Sequence, residues 1–121
     1  MNDLMSDFVA RVNNAINADK EKVIVLKNNL TKAVATKLTK LGYFESFEEE
    51  EYNLKVVLIP GKIARVIRYS KPGQRQYAGY TRLPKIIGGK GFSILTTSKG
   101  VLTHIEAKKE NIGGEVLFQI Y

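Results

Sequence analysis

Two apolar stripes at helical spacing flank one short β-branched run in the first half of the chain, and this order restricts the fold more than any other feature. Residues 4–16 repeat apolar side chains every three or four positions, and residues 30–41 do the same before Gly42. Between them, Lys22–Leu26 is too short for a helix and rich in β-branched residues, so it predicts a strand.

Two further strands are predicted after the second helix, which Asn28 or Asn29 can cap. They are Phe44–Phe47 and Tyr52–Ile59, joined by four successive glutamates at 48–51. Adjacent carboxylates on an exposed turn repel one another, so this run favours a solvated hairpin tip over a catalytic acid pair. The order is then α-β-α-β-β, a small sheet with two helices against it.

The second half of the chain is predicted to form a separate lobe. Pro60-Gly61 favours a turn, and we place the boundary there, between an α/β lobe of residues 1–60 and a mainly β lobe of residues 61–121. Thr103 followed by Glu106 has the form of a capping box and predicts one short helix in this lobe. The predicted fold class is therefore α+β, with two small lobes.

Charge is distributed unevenly between the two halves. The 121 residues carry a net charge of +7, but residues 1–60 have a net charge of −1 and residues 61–121 a net charge of +8. Residues 61–100 contain nine lysines and arginines and no acid. Such an imbalance repels itself and indicates a polyanionic partner, although a basic surface that only aids solubility is an alternative.

Composition excludes several other classes of protein. There is no cysteine and only one histidine, His104, so neither disulfides nor zinc sites built on histidine or cysteine are available, and we expect no cofactor or metal. No apolar run approaches the roughly 20 residues that span a bilayer. The first residues carry acids where a targeting peptide carries bases, and we expect a cytosolic or organelle-encoded protein.

Catalysis is not supported by the motifs. Ser98 and His104 are present, but His104 falls in the first turn of a predicted helix, where a surface residue is expected rather than a general base. The glycine-rich stretch at 88–91 lacks the frame and the strand-to-helix context of a phosphate-binding loop. We expect no enzymatic activity.

Nucleic-acid binding is better supported. The acid-free region mixes cations, which neutralise phosphates, with aromatic side chains, which stack on bases or sugars. The TTSKG segment, Thr96–Gly100, then places three hydroxyl groups, one ammonium group and a glycine together. Hydroxyl groups both donate and accept, which suits the grooves and the 2′-hydroxyls of RNA. An ordinary turn rich in serine and threonine is the alternative interpretation of this segment.

Several blocks of the sequence resemble the family of small-subunit ribosomal protein eight in their order and spacing. They are Ser70-Lys71-Pro72-Gly73, Leu83-Pro84-Lys85, Thr97-Ser98-Lys99-Gly100-Val101, Glu106-Ala107 and Gly113-Gly114-Glu115-Val116-Leu117. The N-terminal Asn2-Asp3-Leu4 also matches, and the resemblance covers essentially the whole chain. It implies two lobes, no enzymatic activity, and binding to an irregular helix in the central domain of small-subunit ribosomal RNA early in assembly.

The resemblance also implies site residues and partners. The implied RNA-binding residues are Thr96, Thr97, Ser98, Lys99, Tyr77, Gly114, Glu115, Lys71, Arg75, Arg11 and Asn14. The implied partners are the ribosomal RNA, the neighbouring small-subunit proteins five, two and twelve, and, in some members, the protein's own messenger RNA, whose translation is repressed. The chain departs from the usual family residues at Thr96, His104 and Phe118. A different class remains open beside this one: a protein-interaction module whose basic lobe binds an acidic protein.

Overall fold

A computed structural model describes residues 4–69, 77–79 and 91–121 of the chain. The chain divides into two compact units, Met1–Val66 and Ile67–Tyr121. The turn at Pro60-Gly61 belongs to the first unit.

The first unit is built from two helices and three strands. They are α1 (Leu4–Asn17), β1 (Lys22–Leu26), α2 (Asn29–Lys40), β2 (Phe44–Glu49) and β3 (Asn53–Leu58). This confirms the predicted α-β-α-β-β order. The strands form an antiparallel sheet in the order β1-β3-β2, in which the central strand alternates between buried and half-buried residues.

The core of this unit lies between the helices and one face of the sheet. The rings of Phe8 on α1 and Phe44 on β2 have centroids 6.2 Å apart, and Val12, Leu38 and Leu54 are fully buried around them. Burial of these stripes supplies most of the stabilisation of helices of this length, because propensity alone is weak.

The start of α2 is fixed by a capping box. Asn28 Oδ1 accepts a hydrogen bond from the Thr31 backbone N–H at 2.7 Å, and Thr31 Oγ1 accepts one from the Asn28 N–H at 2.8 Å. Of the two asparagines that could cap this helix, Asn28 is therefore the one that does.

Asn13 connects α1 to the last residue of the first unit. Its Nδ2 donates to the Val66 carbonyl at 2.8 Å, and its Oδ1 accepts from the Val66 N–H at 2.9 Å. A side chain on the polar face of α1 thus satisfies both backbone groups of Val66.

The second unit is mainly β with one short helix, as predicted. Its first strand, β4 (Val66–Arg68), starts at the last residue of the first unit. The other elements are β5 (Tyr77–Ala78), β6 (Phe92–Thr97), β7 (Gly100–Thr103), α3 (His104–Lys109) and β8 (Gly114–Ile120). The sheet order is β4-β8-β6-β7, and β5 also pairs with β8. Strand β4 is only three residues long, and just beyond its end the Tyr69 N–H donates to the Leu117 carbonyl of β8 at 3.1 Å.

The helix α3 packs on one face of this sheet. Leu95, Val116 and Ala107 form a buried cluster, with Leu102 packed against it. The predicted capping box is present: the Glu106 N–H donates to Thr103 Oγ1 at 3.2 Å, and the Thr103 N–H donates to Glu106 Oε1 at 3.1 Å.

Candidate nucleic-acid interface

The TTSKG segment is a tight β-hairpin. Thr96 and Thr97 end β6, Gly100 begins β7, and only Ser98 and Lys99 form the turn between them. Gly100 has a φ of 102°, a conformation that side chains disfavour, and in the described part of the chain no atom beyond its chain neighbours lies within 4 Å of where its Cβ would be. The glycine is therefore required by the backbone conformation.

The hydroxyl of Thr97 holds this turn in place. Its Oγ1 donates to the Gly100 carbonyl at 2.8 Å and accepts from the Lys99 backbone N–H at 3.1 Å. Ser98 and Lys99 are exposed at the tip. Of the three hydroxyls in the segment, that of Thr97 is committed to the hairpin, whereas that of Ser98 faces solvent.

A row of side chains crosses three strands beside this hairpin. In the antiparallel register Tyr77 on β5 lies opposite Glu115 on β8, and Glu115 lies opposite Thr96 on β6. Directly opposed residues project from the same face of a sheet, so these three side chains form one cross-strand row. Tyr77 is 73% exposed and Glu115 only 8%.

The cross-strand row lies on the face of the sheet that α3 does not cover. Leu95 and Val116 pack on Ala107 of α3. Thr96 and Glu115 are their sequence neighbours, and successive side chains in a strand point to opposite faces.

Gly114 allows the two longest strands of this unit to approach closely at the same place. A Cβ on Gly114 would lie 2.3 Å from the Thr96 carbonyl oxygen and 3.0 Å from Thr97 Cγ2. No side chain fits there without moving the backbone of β6. The structure therefore brings together six residues that the sequence separates widely: Tyr77, Thr96, Thr97, Ser98, Gly114 and Glu115.

Lys99 is directed towards α3. Its Nζ lies 3.3 Å from Oε2 of Glu110, the C-cap residue of that helix. The two side chains are 61% and 50% exposed, so the pair is a surface ion pair. Lys99, Leu102, Glu106, Lys109 and Glu110 line an open groove of about 360 Å³.

The predicted residues of α1 lie in the first unit and form a different site. Arg11 Nε is 2.8 Å from Asp7 Oδ2, and Arg11 Nη1 donates to the Ile24 carbonyl at 3.0 Å, so its guanidinium ties α1 to β1. Asn14 is exposed one turn further along the same helix.

A groove between α1 and β1 joins these residues to two lysines that the sequence analysis did not select. Arg11, Asn14, Lys20 and Lys22 line it, and it encloses about 480 Å³. The only sequence signal for the lysines is their alternation with acids between α1 and β1, which predicts an exposed connection and not a site.

Comparison with known proteins identifies the family. The model of the family described as ribosomal protein S8 matches residues 3–121. The chain belongs to the ribosomal protein S8 family. The predicted resemblance is thereby confirmed.

Three relatives illustrate the extent of the match to the S8 family. The small ribosomal subunit protein uS8 of Koribacter versatilis is 41% identical over 128 aligned residues, which cover 98% of this chain and 96% of that protein. That of Ruminiclostridium cellulolyticum is 40% identical and covers 95% of this chain and 94% of that protein. The uS8c protein of Anthoceros angustus is 36% identical and covers 99% of this chain and 98% of that protein.

The S8 family consists of structural proteins of the small ribosomal subunit and not of enzymes, which confirms the expected class of protein and its location on the ribosome. Two of the residues considered for catalysis, His104 and Glu49, have structural partners in the fold. His104 is half-buried rather than on the open surface: its Nδ1 accepts the Ser93 N–H at 3.2 Å, and burial lowers its pKa below the usual value. In the acidic hairpin, Glu49 pairs with Lys27 at 3.2 Å and Lys32 at 2.8 Å, and these lysines lower its pKa.

Two predicted site residues, Lys71 and Arg75, lie outside the described residues, as do residues 88–90 of the glycine-rich stretch. Within the described ranges, no group of three or more acidic, histidine or cysteine residues is arranged to hold a metal ion. None of the helices in the described part of the chain has the length and apolar character that crossing a membrane requires.

Proposed function

We propose that this S8-family protein binds the central domain of small-subunit ribosomal RNA, through a surface that joins the cross-strand row to the tip of the TTSKG hairpin. The observation that carries the proposal is the register that places Tyr77, Glu115 and Thr96 side by side, next to the close approach at Gly114. An exposed aromatic ring, small hydroxyls and a cation at one corner of a sheet match the chemistry of an irregular RNA helix.

Each member of this surface has a distinct role in the proposed complex. Tyr77 stacks on a base or sugar, Ser98 offers a donor and an acceptor to a groove edge, and Lys99 neutralises a phosphate. Glu115 accepts hydrogen bonds from base amino groups, which are donors. The mainly β lobe of residues 61–121 is thus the RNA-binding lobe of this proposal, and its excess of positive charge supports that role.

The α1–β1 groove is a second RNA contact in this proposal. Its lining offers Lys20 and Lys22 to phosphates and the Asn14 amide to the backbone or a base edge. Arg11 already interacts with Asp7 and the Ile24 carbonyl, so it contributes mainly by holding α1 against β1.

The remaining partners are part of the same proposal. Recognition by RNA shape allows the protein to bind its own messenger RNA where that RNA presents the same irregular helix, and so to repress its own translation. Proteins five, two and twelve of the small subunit are the proposed protein neighbours.

The test compares two tyrosines of equal exposure. Tyr77 is 73% exposed and Tyr52, on the acidic hairpin of the first unit, is 72% exposed. We expect Tyr77→Ala to weaken binding to a folded central-domain RNA fragment by about 1–3 kcal/mol, the usual contribution of one stacked base, and Tyr52→Ala to have no effect. Titrations in excess heparin and unrelated RNA measure selectivity.

A second variant tests the hairpin. Ser98→Ala removes a hydroxyl that is exposed in the free protein, and we expect a loss of about 1–3 kcal/mol of binding because its RNA partners become unsatisfied. Equal binding of the wild type, Tyr77→Ala and Ser98→Ala proteins would place the RNA elsewhere. If heparin abolishes binding of the RNA fragment while an acidic protein still binds, the result would favour the protein-interaction class instead.

A further inference from the structure

The ammonium group of Lys99 already has an anionic partner in the free protein. Its Nζ lies 3.3 Å from Oε2 of Glu110, within the range of a charge-assisted hydrogen bond. The pair joins the tip of the β6–β7 hairpin to the end of α3, eleven residues further along the chain.

The position of Glu110 is not explained by the needs of α3. Glu110 is the C-cap residue of that helix, where the carbonyl ends carry partial negative charge and a cation is favoured. The last turn follows this rule with Lys108 and Lys109. The other carboxylate that lines the same groove, Glu106, caps the start of α3. Lys99 is therefore the ion-pair partner through which the charge of Glu110 is compensated.

We propose that Glu110 is an internal competitor for Lys99: this carboxylate holds and partly neutralises the ammonium group that a phosphate would bind, so Glu110 lowers the affinity of the hairpin for RNA. The inference rests on the proposed function, because it takes Lys99 as a phosphate contact.

The exposure of the pair fits displacement. With side chains 61% and 50% exposed, the ion pair is screened by solvent and weak. A phosphate in the proposed site adds its own charge to the contacts made by the neighbouring hydroxyls. The exchange is therefore possible, but it reduces the net gain from the Lys99 contact.

The experiment is a double-mutant cycle on the full-length protein, titrated with a folded central-domain RNA fragment at fixed salt. The four proteins are the wild type, Glu110→Gln, Lys99→Gln and the double variant. We expect Glu110→Gln to bind about two- to fivefold more tightly, the range that an exposed ion pair allows, and to keep the wild-type unfolding midpoint. In the Lys99→Gln background the same change should have no effect.

Glu51→Gln is the matched control, because it removes the same charge from an exposed residue in the other unit. It should leave affinity unchanged. A gain from Glu110→Gln that persists in the Lys99→Gln background would overturn the proposal, since the carboxylate would then act on the RNA directly. Unchanged or weaker binding by Glu110→Gln would also overturn it. If Lys99→Gln alone binds as well as the wild type, the Lys99–phosphate contact of the proposed function fails, and competition fails with it.

Discussion

At the residue scale, Thr97 is a predicted RNA-binding residue whose hydroxyl group stabilises the hairpin in the free protein. Its Oγ1 donates to the Gly100 carbonyl and accepts from the Lys99 N–H. The sequence shows three similar hydroxyl groups, and in the structure it is the Thr97 hydroxyl that makes the two hydrogen bonds across the turn.

From these two hydrogen bonds we expect two substitutions of Thr97 to differ in their effects. Thr97→Val keeps the branched shape but loses both hydrogen bonds, so we expect the free energy of unfolding to fall by about 1 kcal/mol and RNA affinity to fall with it. Thr97→Ser retains the hydroxyl and should behave as the wild type. Denaturant unfolding and RNA titration of both variants check this, and equal behaviour of the valine and serine variants would contradict it.

His104 predicts a dependence of stability on pH. Burial lowers its folded-state pKa below the usual histidine value of 6.5, and its Nδ1 accepts the Ser93 N–H only when that nitrogen carries no proton. The unfolded chain therefore binds the proton more readily. The stabilisation from neutral His104 is fully present above about pH 6.5 and is lost as the pH falls through the lowered folded-state pKa.

The matched variant for this effect is His104→Asn, which offers an acceptor oxygen but does not titrate. We expect the wild type to lose more stability than His104→Asn when denaturant midpoints are followed from neutral to mildly acidic pH. Parallel loss in the two proteins would assign the acid sensitivity to other groups.

At the scale of secondary-structure elements, the packing of β8 against β6 depends on Gly114. A methyl group there would meet the Thr96 carbonyl oxygen at 2.3 Å. We expect Gly114→Ala to destabilise the protein by about 1–3 kcal/mol, the usual cost of overpacking, and to weaken RNA binding by moving β6. Gly79→Ala is the control, because no atom of the described residues, chain neighbours aside, lies within 4 Å of a Cβ at Gly79. Thermal unfolding compares the two, and equal midpoints would contradict the close approach.

The attachment of α1 to Val66 gives a second prediction at this scale. Asn13→Ala removes two hydrogen bonds and leaves both backbone groups of Val66 without this partner, so we expect a loss of about 1–3 kcal/mol of stability. Asn14→Ala, at the next position but exposed, should change stability by less than about 0.5 kcal/mol and weaken RNA binding. Denaturant unfolding and RNA titration check both variants. A loss of stability from Asn14→Ala but not from Asn13→Ala would contradict the roles assigned to these asparagines.

The elements themselves are largely predictable from sequence because their signals are local. The box formed by Thr103 and Glu106 joins residues three apart, and the structure contains it. The pairing of Tyr77 with Glu115 and Thr96, and that of Asn13 with Val66, depends on register and on distant packing. No local pattern specifies such contacts, which is why the resemblance could name residues of the candidate site but their geometry required the structure.

At the scale of the whole molecule, the separation of charge determines how binding should respond to salt. The acid-free region of residues 61–100 supplies nine cations, and Lys20 and Lys22 add to them in the α1–β1 groove. Phosphate contacts release counterions from RNA, so each one makes the affinity more sensitive to ionic strength.

If roughly five to eight cations reach phosphates, log affinity should fall against log salt with a slope of about −4 to −7. Lys99→Gln should reduce the magnitude of this slope by about one. Lys62→Gln is the control, because the Lys62 ammonium lies 5.8 Å from the centroid of the Tyr43 ring and should contribute less. Titrations over a series of salt concentrations give all three slopes. If Lys62→Gln reduced the slope more than Lys99→Gln, the phosphate contacts would lie away from the hairpin. The slope depends on the cations that contact the RNA and not on those elsewhere on the surface.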